Sequence, residues 1–561
     1  MTSLRALAHA LVLAVGVATL VVVGTSPARA AERSDATHTE HYFPAADGVT
    51  MLHADVLRPK GVKATARTPV ILTVSPYTNH SGEALGGEFT AEAPSERFYD
   101  FLDLTDALDR GYTYVMVDLP GFGGSGGCND WGGNREQGAV VAAVEWAASQ
   151  SWSTGKVALL GKSYDAWTGL MGVANRPQGL AAVVAMEPVF AGYNYLYNNG
   201  VRFTNSLATP VSFQVNDALP GTIYDSPQYH LNGLPQAYCY PLNFGLQQSD
   251  SPTSDYWAER NLLPSSRGSR VPLFLTQGFL ETNTKPDAAF DFWSGLRGAE
   301  NRAWFGQIDH VRGWEKTPDG KRTQTGRPVS AFVDQVSDFI DLHLKGIGRS
   351  RPGVDVQDSL GRWRREAVWP PADTRRLASS LRKGVYRDTA TNMATGPGSG
   401  DGVWTISQPL RTRAWLSGEP RLTAHVTTSV PRANLVGLVY DIDRAGRAQL
   451  ISRGAHLLRT AGDQKVTLSL YGQDWVLRPG HRIGVLLTGA DSSWWLHVPT
   501  SSSVQVDRAD ISLPFLSRDR TRFLPGGSSP RLEEHLTETA TISAGIVKRS
   551  GRAFRLPRPL R

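Results

Sequence analysis

Val157-Ala158-Leu159-Leu160-Gly161-Lys162-Ser163-Tyr164-Asp165-Ala166 is the stretch whose reading decides the fold. Its four leading apolar residues form a short uninterrupted run, as in a strand buried on both faces. The run ends in Gly-x-Ser, and the residues after Ser163 suit a helix. A buried strand passing through Gly-x-Ser into a helix is the setting of a nucleophile elbow. The chemistry accounts for the residue types. Ser163 must sit on a tight turn so that its hydroxyl projects from the carboxyl edge of the sheet. Gly161 lets the neighbouring backbone come close. The turn also aims the backbone N–H of Tyr164 at a developing oxyanion. The glycine usual two residues after the serine is replaced by Asp165, so the pattern by itself is a weak signal.

Similar apolar runs lie on either side, at 70–74, 114–118, 181–186, 271–276 and 303–305, with amphipathic segments such as 135–150 and 328–345 between them. Strand and helix alternating in this way predict an α/β domain over 31–350, its sheet covered by helices on both faces. Residues 189–265, rich in Tyr, Asn, Pro and Leu, break the alternation and read as a helical cap insertion near an active site. From 351 to 546 the chain turns to short β-type runs broken by Gly, Pro, Ser and Asp, which predicts an all-β, jelly-roll-like sandwich. Residues 547–561 read as a basic disordered tail.

Serine is a poor nucleophile until a base takes its proton, so a histidine is required, and an acid to orient it. His310 follows the run at 303–305 and fits the base. Glu281 follows the run at 271–276 and fits the acid, with Asp287 and Asp291 as further candidates.

The chain has 561 residues, 41% hydrophobic and 20% charged, a globular composition that excludes bulk disorder. Its 58 Lys+Arg exceed its 52 Asp+Glu by six, and six of the basic residues fall between Lys548 and Arg561. The rest sums to zero, so charge gives no indication of nucleic-acid binding. Arg5, the apolar run 10–24 and Ala28-Arg29-Ala30 have the layout of a secretory signal peptide over 1–30. The run is too short to span a bilayer, so a secreted protein with no stable membrane insertion is expected. The only cysteines, Cys128 and Cys239, could pair as a disulfide outside the cytoplasm. No CxxC, HExxH or His cluster with metal-ligand spacing occurs, and neither a metal nor another cofactor is expected.

Seven motifs in order resemble the Xaa-Pro dipeptidyl-peptidase and cocaine-esterase family of serine hydrolases. They are Ser75-Pro76-Tyr77; the glycine-rich loop Asp118 to Gly127; Glu145-Trp146 with Gln150 to Gly155; Gly161-Lys162-Ser163-Tyr164; Tyr256-Trp257 with Arg260; Gly278 to Pro286; and Trp363-Arg364 with Trp369-Pro370-Pro371. The resemblance covers about residues 40–515 and implies an α/β-hydrolase domain followed by a β-sandwich. It implies Ser163 as nucleophile, His310 as general base and Glu281 as the acid, where the family generally has Asp. It implies that the Tyr77 hydroxyl joins the Tyr164 N–H in the oxyanion hole. The chain departs from the family at Leu119-Pro120, where an arginine is absent, and at Ala166, usually glycine. Release of N-terminal Xaa-Pro dipeptides is the implied activity. An esterase or acylase of the cocaine-esterase or glutaryl-acylase type is the alternative, so the partner is a peptide or a small ester or amide. An Xaa-Pro peptidase must recognise a free α-amine, and Glu187, just past the run at 181–186, is the expected anchor. A secreted binding protein with a dead hydrolase domain is the reading from another class.

Overall fold

The computed structural model describes residues 33–550 except 64, 82–93, 218, 220, 223–224, 235–238 and 390–401. The expected signal peptide lies outside the described residues, as does 551–561 of the expected tail; helix Ala544–Ser550 covers the tail's first residues.

Ten strands form one sheet: β1 (Ala36–Pro44), β2 (Met51–Pro59), β3 (Thr68–Ser75), β4 (Thr113–Asp118), β5 (Ser153–Lys162), β6 (Leu180–Met186), β7 (Leu273–Gly278), β8 (Arg302–Gly306), β9 (Gly353–Gln357) and β10 (Trp363–Glu366). Their spatial order is β1-β2-β4-β3-β5-β6-β7-β8-β9-β10. The block from β4 to β9 is parallel, and an antiparallel strand or pair closes each edge. Alternate residues serve two cores, as the pleat requires. Val70, Leu72, Val115, Val117, Val157 and Leu159 face α1 (Asn134–Ser149) and α2 (Tyr164–Asn175). Ile71, Tyr114, Met116, Ala158 and Leu160 face the opposite layer, with Phe332, Val336 and Phe339 of α3 (Val329–Lys345). The apolar runs are continuous because both faces are covered. No helix of the described residues is long and apolar enough to cross a membrane.

Past residue 351 the chain first adds two strands to the large sheet. β9 pairs with β8 in parallel and β10 closes the edge, so the chain leaves the first sheet only after Glu366. Two antiparallel sheets then face each other from Thr374 onward. Leu416, Leu422 and Val426 from one and Leu435, Val439 and Val485 from the other fill the space between them.

Between β6 and β7 the chain forms the cap, a set of short helices and a two-stranded ribbon. The sandwich holds it from one side. Asp250 of the cap pairs with Arg432 at 2.9 Å and Arg459 at 2.5 Å, and Phe203 stacks on Trp495 with centroids 6.0 Å apart.

Candidate active site

β5 delivers Ser163 to the carboxyl edge of the sheet, where α2 begins. The backbone there has φ 68° and ψ −123°, a region closed to most side chains and costing about 1–3 kcal/mol. Its surroundings hold it in place: the Ser163 N–H donates to the Met186 carbonyl at 2.9 Å, and its carbonyl accepts from the Trp167 N–H at 3.0 Å. Gly161 is required because a Cβ there would meet the Asp165 carbonyl carbon and oxygen at 2.2 Å. The predicted elbow is present in this form.

The Tyr164 N–H is among the first N–H groups of α2, which have no partner within the helix. The Tyr164 ring is fixed by its hydroxyl, which donates to Glu136 Oε2 at 2.7 Å. Glu136, buried and close to Asp130, is pushed up to about 7.

Two further side chains reach the same edge from parallel neighbours. Glu281 follows β7 and His310 follows β8. Glu281 is fully buried and surrounded by donors. Its Oε1 accepts from the Asn283 N–H at 2.8 Å, and its Oε2 accepts from the Lys285 N–H at 2.6 Å and from the Thr284 hydroxyl. Oε1 also stands 3.2 Å from His310 Nδ1. The ring N–H is not aligned for a hydrogen bond at that distance, as is common for catalytic contacts before substrate binds. Burial raises the Glu281 carboxyl, but His310, the Thr284 hydroxyl and the Asn283 N–H outweigh it and hold the group below the usual carboxylate range. Burial lowers the His310 imidazole, and the Lys162 ammonium lowers it further against the pull of Glu281. At neutral pH the pair is therefore a carboxylate beside a neutral imidazole, the state a general base needs. Asp287 faces away and accepts from Asn194 at 3.1 Å and Asn198 at 2.7 Å, and Asp291 lies on the following helix.

Ser163 opens into a cavity of about 270 Å³. Tyr77, Trp131, Trp167, Tyr195 and Phe213 wall it with rings, and Asn216 and Asn283 add polar groups. Tyr77 is oriented by its N–H, which donates to Ser75 Oγ at 2.9 Å, and by the Arg97 guanidinium 4.2 Å over its ring.

Glu187, the expected amine anchor, lies just past the end of β6. It is 0% exposed and absent from the cavity wall. Its carboxyl accepts from the Gly278 N–H at 2.8 Å and the Thr276 hydroxyl at 3.3 Å, so it ties the end of β6 to β7. Burial, with the nearby Glu281 charge, holds it well above the ordinary carboxyl range. Position after a strand end gives the right edge of the sheet but not the direction of the side chain. Cys128 and Cys239 are joined as a disulfide with Cα atoms 5.6 Å apart, linking the loop after β4 to the cap. The cap, expected near the active site, supplies Tyr195, Thr209, Ser212, Phe213 and Asn216 to the cavity wall; these individual residues carried no signal in the sequence beyond the aromatic content of 189–265.

A strained serine at the end of a central strand, opening into a ring-walled cavity, and a carboxylate–imidazole pair after β7 and β8 stand on one edge of an α/β-hydrolase sheet. The X-Pro dipeptidyl-peptidase (S15 family) model matches residues 47–312, and the X-Pro dipeptidyl-peptidase C-terminal non-catalytic domain matches 346–540. The chain belongs to this family and is a hydrolase. A Streptomyces avermitilis protein provisionally assigned as an Xaa-Pro dipeptidyl-peptidase is 25% identical over 572 residues, covering 88% of this chain and 80% of its own. Among solved structures, a CocE/NonD family hydrolase from Staphylococcus aureus superposes with a TM-score of 0.66 at 15% identity, covering 86% of this chain and 97% of its own. An alpha-amino acid ester hydrolase gives 0.64 at 17%, covering 89% and 99%. Both share the fold of this chain.

Proposed function

We propose that the protein hydrolyses acyl bonds through an acyl-enzyme on Ser163, releasing Xaa-Pro dipeptides from peptide N-termini. The observation that carries this reading is the Glu281–His310 pair, with its buried, multiply bonded carboxylate 3.2 Å from Nδ1, on the sheet edge that holds the strained Ser163. His310 takes the Ser163 proton as the hydroxyl oxygen attacks the carbonyl carbon after proline. The Tyr164 N–H and the Tyr77 hydroxyl stabilise the oxyanion. His310 then gives the proton to the leaving amine, and water, deprotonated by the same imidazole, cleaves the ester. Glu281 stays ionised throughout and stabilises the imidazolium. The ring-walled cavity suits a prolyl ring beside a small residue.

A second reading keeps the chemistry and changes the substrate. Among the described residues, the cavity wall carries no carboxylate to receive a free α-amine, which favours an esterase or acylase. Matched substrates separate the two: an Ala-Pro anilide with a free amine, its N-blocked form, and an aryl acetate. Cleavage of the free-amine anilide alone supports the dipeptidyl-peptidase, and cleavage of the acetate alone supports the esterase. We further propose that the protein works outside the cytoplasm. The N-terminal pattern and the Cys128–Cys239 disulfide support this placement.

A further inference from the structure

Away from Ser163, at the antiparallel edge of the large sheet, three histidines and four carboxylates come together. β1 supplies His38 and Glu40, β2 supplies His53 and Asp55, β4 ends in Asp118, the segment after β3 supplies His80, and the cap supplies Asp225. His53 and His80 are each 1% exposed, as is Asp55, and their rings meet edge to face with centroids 5.1 Å apart.

Both rings are oriented from outside by a carboxylate. His53 Nδ1 is 2.9 Å from Asp118 Oδ2, and His80 Nδ1 is 2.7 Å from Asp225 Oδ1. Both Nε2 atoms therefore face inward, towards Asp55. His80 Nε2 lies 2.9 Å from Asp55 Oδ2. His53 Nε2 is buried and makes no hydrogen bond; it stands 3.9 Å from Asp55 Oδ1 and 3.5 Å from Glu40 Oε1. A buried ring nitrogen without a partner is unfavourable and calls for an explanation. A carboxylate behind Nδ1 is how metal-binding histidines are oriented, with Nε2 left to face the ion. The inner atoms of His53, Asp55 and His80 lie within 4.8 Å of one another. Ligands of a tetrahedral ion stand about 3.3 Å apart, so only a small closing movement is needed.

We infer that His53, Asp55 and His80 form a binding site for a divalent transition ion, zinc by the chemistry of its donors, with Glu40 placed to complete the shell. Two imidazoles beside carboxylate suit zinc, whereas magnesium and calcium take oxygen ligands. The ion is structural: none of these residues lines the cavity at Ser163. It joins β2 to the segment after β3 and, through Asp225, to the cap, where the Tyr229 ring stacks on His80 at 4.4 Å and its hydroxyl accepts the His80 N–H at 3.0 Å. The sequence shows no metal-ligand spacing because the donors come from two strands and a loop and meet only in the fold.

The test is a calorimetric titration of untagged, chelator-stripped full-length protein with zinc chloride, with magnesium and calcium chlorides beside it and melting followed in each. Expected are a single saturable zinc site and a Tm raised by zinc alone. Asp225→Asn keeps all three ligands but removes the carboxylate behind His80, and should weaken zinc binding about 10–100-fold. His53→Gln should abolish it; if that variant does not fold, Asp225→Asn localises the site. A stripped wild-type protein that takes up no zinc overturns the inference, because the histidines would then hold the network by protons alone. Zinc binding that is equally tight in the folded variants overturns it as well.

Discussion

Ser163, Glu281 and His310 each sit where a strand of the parallel block ends, and their differences lie in what surrounds them. Glu281 accepts from three donors besides its contact with His310, and Glu187 is buried without any cationic partner among its hydrogen bonds. Glu281→Gln removes the orienting charge and should lower kcat about 10⁴-fold. Asp287→Asn, which alters a group facing Asn194 and Asn198, should leave kcat within a few-fold. Steady-state kinetics on one substrate compares the two, and the reverse ranking would move the acid to Asp287. His310 is held below its ordinary value of 6.5 by burial and by Lys162. The base works when neutral, so kcat/KM should fall as pH drops through a value under 6.5. Lys162→Gln removes the nearby positive charge, raises the imidazole pKa and should shift that acid limb to higher pH; an unmoved limb would contradict this electrostatic account. Much of this was legible in the sequence, because Gly161 and Ser163 answer to backbone geometry that few residues satisfy. The burial of Glu187 was not legible, because side-chain direction after a strand end depends on packing that no local pattern encodes.

The central strands were legible as elements for a related reason. With helices on both faces, β3 to β8 had to be apolar almost throughout, and their runs stand out. The edge strands did not. β1 and β2 carry His38, Glu40, His53 and Asp55, whose partners lie across the β1–β2 pair, on β4, on the segment after β3 and in the cap. β9 and β10 carry Asp355, Arg364 and Arg365, and Asp355 pairs with Arg302, Arg327 and Arg365. Buried charge satisfied across elements looks like loop polarity when read along the chain. The cap is fastened on several sides, and the disulfide closes 111 residues of sequence. Replacing both cysteines by serine should cost about 2–5 kcal/mol, seen in denaturant unfolding, with cleavage in limited proteolysis concentrated in the cap. Unchanged stability and protease resistance would show that the sandwich contacts alone hold it.

For the molecule as a whole, the hydrolase domain and the sandwich share a buried charge network. Arg364 on β10 makes a bidentate pair with Asp474 at 2.8 and 2.7 Å. Asp474 also accepts from Trp415 at 2.7 Å and Ser417 at 2.6 Å. Arg364→Ala leaves that carboxylate buried without its cation and should cost about 3–5 kcal/mol. Scanning calorimetry should show the loss in both domains, and a loss confined to the sandwich would mean that the interface does not couple them. The exchange of charge between the domains is not legible along the chain, since it exists only where the fold sets Asp474 beside Arg364. The central claim is that this architecture presents Ser163 as an activated nucleophile. Its most direct test is labelling of the folded protein by a fluorophosphonate, with the modified residue located by peptide mass spectrometry. The account predicts a label on Ser163 that Ser163→Ala removes without unfolding the chain. An unlabelled folded protein, or a label on another residue, would contradict it.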